Sequence, residues 1–119
     1  RMEIVASVLK DRLYLCQGVR PTSHGANRKV FVPEEGIQYY ALCDDFGPMN
    51  LSSVAKFVRQ LDLELALFPN ECLYYYVDDG RRPLTNAVFL LGAYLIFAKQ
   101  YSVVKVLATF NWVDPSLIE

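Results

Sequence analysis

The sequence predicts an α/β sandwich around a small mixed sheet. Three observations support this. Short apolar runs rich in Tyr, Val and Leu fill the first third of the chain. One longer run then repeats its apolar residues every three to four positions, as a helix with one buried face does. A strand-like run, Cys72 to Val77, follows and is itself followed by helical segments, the alternation that marks α/β folds. With 119 residues, the chain reads as one domain, 1–119, large enough to bury a core unaided. Its 53% hydrophobic content excludes a disordered chain.

Leu13-Tyr-Leu-Cys-Gln-Gly reads as the first strand. A loop punctuated by Pro21 and Gly25 follows. Val30, Phe31 and Val32 give a second short strand, stopped by Pro33 and the Glu34-Glu35-Gly36 turn. A third strand is expected over 39–43, closed by Asp44, Asp45, Phe46, Gly47 and Pro48. Asn50 stands where a helix N-cap belongs. Behind it Leu51, Val54, Val58, Leu61 and Leu65 form one apolar stripe, and Pro69-Asn70 ends the helix. Cys72 to Val77 is apolar on both faces and therefore expected at the centre of the sheet. Asp78-Asp79-Gly80 breaks it. A second helix begins near Arg82-Pro83 and runs to about Lys99; it is apolar almost all round, as a deeply packed helix would be. A third, from about 102 to 110, takes Ser102 as its N-cap, with Val103, Val106, Leu107 and Phe110 expected to face inward.

Charge and composition exclude several classes. Twelve basic residues against thirteen acidic ones leave no basic excess, so no nucleic-acid footprint is expected. The longest apolar run, 87–98, is too short for a membrane span, which needs about 20 residues. The N-terminus shows no signal peptide, and Arg1 ahead of Met2 marks either an added residue or a chain cut from something longer. Cys16, Cys43 and Cys72 are an odd count in apolar runs, which reads as buried free thiols in a reducing, cytoplasmic or nuclear setting. With His24 the only histidine, no zinc pattern exists, and no metal or cofactor is expected.

A cysteine-dependent phosphatase needs an arginine six residues after its nucleophile, because the intervening loop wraps the phosphate at a helix N-terminus. Six residues after the three cysteines stand Thr22, Met49 and Asp78. His24 sits in a loop and has no partner in the sequence that would make it a general base. The acidic pairs Glu34-Glu35, Asp44-Asp45 and Asp78-Asp79 each border a turn, where such residues are ordinary. The junction Val77-Asp78-Asp79-Gly80-Arg81-Arg82-Pro83 has the layout of a phosphate cradle: strand, glycine-containing loop, helix. It lacks a cysteine, and its two aspartates repel anions. From the residues alone it reads as a charged surface turn.

Several segments together resemble the N-terminal domain of the cell-division-cycle-fourteen dual-specificity phosphatases. Lys10-Asp-Arg-Leu-Tyr14 with Arg20-Pro21 looks like that domain's opening. Tyr39-Tyr40 and the stretch Asp45-Phe-Gly-Pro-Met-Asn-Leu51 resemble its most distinctive motif. Asn86 to Tyr94 is similar to its long buried helix, and the likeness runs in order along nearly the whole chain. The sequence departs from the family over 22–28 and again after Pro115.

The resemblance implies a dual-specificity or tyrosine phosphatase-like sandwich without a catalytic loop, in a parent protein that is a protein phosphatase. In that family the domain packs on a catalytic domain in cis and helps to shape an acidic groove for phosphoprotein substrates. The nucleophile, its arginine and the general acid lie in the second domain, so no catalytic residue is expected here. Gly80, Arg81 and Arg82 then become the relic of a phosphate loop, and Asp44, Asp45, Asp78 and Asp79 become candidates for the acidic rim of the groove. A cytoplasmic or nuclear setting follows, with centrosome, nucleolus or cilium as places of work. The alternative is a stand-alone interaction module without enzymatic activity, which could dimerise through an exposed apolar patch.

Overall fold

The computed structural model describes residues 3–19, 27–33 and 48–118, with the backbone alone for 48–50. The strand expected over 39–43, its turn, and the residues His24, Glu34, Glu35, Cys43, Asp44 and Asp45 lie outside the described residues. What is described is an α/β fold with a four-stranded mixed sheet, as expected.

The strand at Leu13 is not the first. β1, Ile4–Leu9, precedes it and pairs antiparallel with β2, Leu13–Gln17. The reversal is tight: Asp11 takes a positive φ of 60°, and the Arg12 N–H closes on the Leu9 carbonyl at 3.0 Å. β1 was not expected because Val5 on its outward face is as apolar as Ile4 and Val8 on its inward face, which blurs the apolar–polar alternation by which a strand is recognised. β3 is Arg28–Phe31, two residues ahead of its expected start. β4, Cys72–Val77, is central as expected: the order is β1-β2-β4-β3, and β4 runs parallel to both of its neighbours.

Register decides which side chains meet. Leu13 lies beside Leu73, Leu15 beside Tyr75 and Phe31 beside Tyr75, so all of them share one face. That face is the core, where each is almost completely buried. On the other face Tyr14 stacks on Tyr74, ring centroids 5.1 Å apart and nearly parallel.

α1, Pro48–Leu67, lies on the core face. Asn50 is inside this helix rather than its cap, because Pro48 already occupies the first turn, where its missing N–H costs nothing. The buried stripe agrees with expectation at Val54, Leu61 and Leu65, with Val58 partly buried, and departs from it at Leu51 and Phe57. Val54, Phe57, Leu61 and Leu65 are buried, while Leu51 is 56% exposed. Phe57 sets the rotation, since its ring meets Phe31 at 5.9 Å and Tyr75 at 5.4 Å. Phe31 and Tyr75 pack edge to face at 5.7 Å. Such aromatic pairs add about 0.5–1.5 kcal/mol each beyond area burial. The helix ends under Arg12, whose guanidinium donates to the carbonyls of Leu65, Phe68 and Glu71. Leu65 lies in the last turn of α1, where carbonyls lack a partner within the helix, and Phe68 and Glu71 lie in the turn that leads to β4.

α2, Arg81–Phe97, packs beside α1 and buries Leu84, Ala87, Leu90, Leu91, Tyr94 and Leu95 in the core. It is not buried all round, because Phe89, Ile96 and Phe97 reach the surface. α3, Val103–Thr109, starts at Ser102 as expected, with the Lys105 N–H donating to its hydroxyl at 3.1 Å. Only Val106 and Phe110 of its apolar residues face inward; Val103 and Leu107 are exposed. The helix touches α2 along a narrow line where Gly92 admits Val106, whose Cγ1 lies 3.5 Å from where a Cβ on that glycine would sit. After α3 come a buried Phe110, the half-buried Trp112, Val113, Leu117 and Ile118, and a 3-10 turn over Pro115–Leu117. Among the described residues no helix is long and apolar enough to cross a membrane.

Candidate functional site

The β4–α2 junction is the described part of the chain with the architecture of an anion cradle. β4 ends at the buried Val77, and Asp78, Asp79 and Gly80 then emerge into solvent. Gly80 caps α2 with φ 115° and ψ 165°, a conformation that a side chain would strain. Arg81 and Arg82 follow in the first turn, which contains no acidic residue.

The loop is held from beneath by a residue the sequence reading did not single out. Gln17, at the end of β2, is buried on the core face opposite Val77. Its Nε2 donates to the Asp78 carbonyl at 2.7 Å and to the Gly80 carbonyl at 2.9 Å. One side-chain amide thus spends both donors on the loop backbone. The available signal was the pattern Leu13, Leu15, Gln17, a polar residue continuing an inward apolar alternation.

Arg81 is also committed. Its Nε and Nη2 donate to the Ile118 carbonyl at 3.2 and 2.8 Å, joining the start of α2 to the last part of the chain. Asp78 and Asp79 stand at the exposed mouth of the same loop, and Asp79 and Arg82 make further interactions of their own. The structure therefore brings Asp78, Asp79, Gly80, Arg81 and Arg82 into one rim at the carboxyl end of the central strand. Asp44 and Asp45 lie outside the described residues.

Cys16 is buried, and burial pushes its thiol up to about 11, so it stays protonated near neutral pH. The Cys72 thiol is half-buried and donates to the Asp11 carbonyl at 2.8 Å. Among the described residues no group of His, Cys, Asp and Glu is placed to hold a metal ion.

A second feature lies at the other end of α2. An open groove of about 450 Å³ runs between α1 and α2, with Leu51, Val54, Val58 and Phe97 on its walls and Arg59 and Asp62 at its polar edge. Beneath it the buried Tyr94 phenol is pushed upward in pKa, by burial first and then by the Asp62 carboxylate. Phe97 is 70% exposed, and Val103, Val104 and Leu107 on α3 are comparably bare. An exposed apolar set of this size is unusual for a surface that meets only water.

Comparison of the sequence with known proteins finds a family and several relatives. Residues 7–119 match the family described as the N-terminal half of dual specificity protein phosphatases. Dual specificity protein phosphatase CDC14A of Homo sapiens is 30% identical over 90 residues, covering 74% of this chain and 15% of that protein. The figures are the same for dual specificity protein phosphatase CDC14AB of Danio rerio. CDC14C of Symphalangus syndactylus is 24% identical over 90 residues, covering 19% of its own length. The chain thus spans less than a fifth of the curated relatives it matches.

Proposed function

Because the chain belongs to the family of dual specificity protein phosphatase N-terminal halves, we propose that it is a non-catalytic substrate-recognition and scaffolding half. Its partner is a phosphatase catalytic domain in cis, and the two act together on phosphoproteins in a cytoplasmic or nuclear setting. The observation that carries this reading is the β4–α2 junction. It keeps the strand–loop–helix layout of a phosphate cradle, but Asp78 and Asp79 occupy its mouth, and Gln17 holds two of its carbonyls. No thiolate stands there to attack a phosphoester.

The acidic rim takes the recognition role. Asp78 and Asp79, with Asp44 and Asp45 as further candidates, attract basic residues that flank a phosphosite. Charges at the mouth of a cleft steer and select partners more than they add raw affinity. The bare apolar residues of α2 and α3 supply a surface for packing against the catalytic half.

Charge reversal tests this reading. In the full-length protein, Asp78→Lys with Asp79→Lys lowers kcat/KM for phosphopeptides rich in basic residues by about tenfold, the effect of about 1.4 kcal/mol. Turnover of a phosphorylated aryl substrate, which has no basic flank, stays unchanged. An unaltered preference for basic phosphopeptides in the variant sinks the rim assignment.

A further inference from the structure

The β4–α2 junction also meets the last part of the chain. Arg81 and Arg82 place two cations at a helix N-terminus, where the backbone dipole favours anions, and no carboxylate in the first turn offsets them. Arg81 is retained there with a specific partner. Two donors of its guanidinium converge on one backbone oxygen, that of Ile118.

What Arg81 grips is an ordered strap, residues 111–118. Asp114 organises it: its carboxylate accepts from the Ser116 N–H at 2.8 Å, and its carbonyl accepts from the Leu117 N–H at 2.8 Å. The bond from the Ser116 N–H lowers the Asp114 carboxyl pKa. Trp112, Val113, Leu117 and Ile118 lie half-buried against the core. The platform for this contact is equally fixed. Gln17 pins the carbonyls of Asp78 and Gly80, which sets where α2 begins and hence where Arg81 stands.

We propose that Arg81 is a positioning residue that latches the strap to the start of α2, and that this junction serves as a seat for the chain's own strap rather than for an anion. Its consequence rests on the proposed function: a following catalytic half departs beside Asp78 and Asp79, so the latch sets how the acidic rim faces it. An anion at the loop must take the guanidinium away from Ile118. Latch and phosphate site are therefore mutually exclusive uses of one side chain.

The test uses the 119-residue chain and involves no phosphatase activity, so its outcome is separate from that of the proposed function. Trp112, the single tryptophan, lies inside the strap and reports its release directly. Arg81→Gln removes the charged fork from an exposed position; Arg81→Lys keeps the charge and a donor. In Arg81→Gln, amide exchange at Ser116 and Leu117 rises by about tenfold, because local opening becomes less costly. Trp112 emission shifts to the red and is quenched more readily by acrylamide, while the amides of β4 and of central α2 keep their rates. Arg81→Lys restores part of the protection. Inorganic phosphate, compared with chloride at equal ionic strength, leaves the strap in place. Unchanged exchange at Ser116 and Leu117 in Arg81→Gln overturns the proposal. So does acceleration spread evenly over the domain, and so does strap release by phosphate.

Discussion

Replacing Gln17 with leucine asks whether the loop at the β4–α2 junction depends on a single buried amide. The substitution roughly keeps the side chain's size but removes both donors, leaving the Asp78 carbonyl without this partner and the Gly80 carbonyl with the Leu84 N–H at 3.4 Å. A typical internal hydrogen bond contributes about 1 kcal/mol net, and an acceptor left buried without a partner costs about 1–3 kcal/mol. Gln17 is 7% exposed, whereas Asp78 and Gly80 are exposed, so two lost bonds at about 1 kcal/mol each, rather than buried orphan acceptors, set the loss; against this, leucine gains by being buried. The expected balance is a loss of about 2 kcal/mol. With a urea dependence of about 1–3 kcal/mol per molar for a domain of this size, the unfolding midpoint falls by about 1 M. Gln17→Glu is worse, because a carboxylate then faces the same two carbonyl oxygens. Urea unfolding followed by circular dichroism reads both variants. A Gln17→Leu midpoint that matches the parent's would refute the reasoning, since the loop would then be held by something other than that amide.

Two further outcomes follow from the core. Phe57→Ala empties the position between Phe31 and Tyr75 and costs about 3–5 kcal/mol, measured as a fall in the denaturation midpoint; a loss below about 1 kcal/mol would contradict the aromatic cluster as a stability centre. Cys16 has its thiol pKa raised from 9.0 to about 11 by burial, so its contribution is complete below about pH 9 and is lost as pH rises toward 11. Folded protein at pH 8 therefore labels at Cys72 well before Cys16, which thiol mapping by mass spectrometry reads directly; equal rates would contradict the burial.

The fold was legible wherever side-chain periodicity was unbroken. β4 reads as central from Cys72 to Val77 because both faces carry large side chains, and Ser102 reads as a cap because its hydroxyl has one obvious use. β1 was hidden because Val5 on its outward face is as apolar as Ile4 and Val8 on its inward face, so the strand shows no clear alternation. The stripe on α1 was right at Val54, Leu61 and Leu65 but included Leu51 and omitted Phe57, because the two are equally apolar in the sequence. Only the sheet, through Phe31 and Tyr75, chooses between them. Leu107 and Val103 were expected inside for the same reason: an apolar residue does not reveal whether a neighbouring element reaches it. At the junction, Asp78, Asp79, Gly80, Arg81 and Arg82 were legible as a unit because they are contiguous. Gln17 and Ile118 were not, since each reaches the loop from far along the chain, 61 residues away for Gln17 with Asp78 and 37 for Arg81 with Ile118.

The central claim is that this chain recognises and supports but does not catalyse, and turnover of a phosphorylated aryl substrate by three purified proteins tests it most directly. These are the 119-residue chain, the remainder of the full-length protein, and the two joined. The account predicts no turnover above buffer for the chain alone, turnover by the joined protein, and weakened action on phosphoproteins by the remainder without this chain. Turnover by the chain alone would contradict it, as would a remainder that handles phosphoproteins equally well without it.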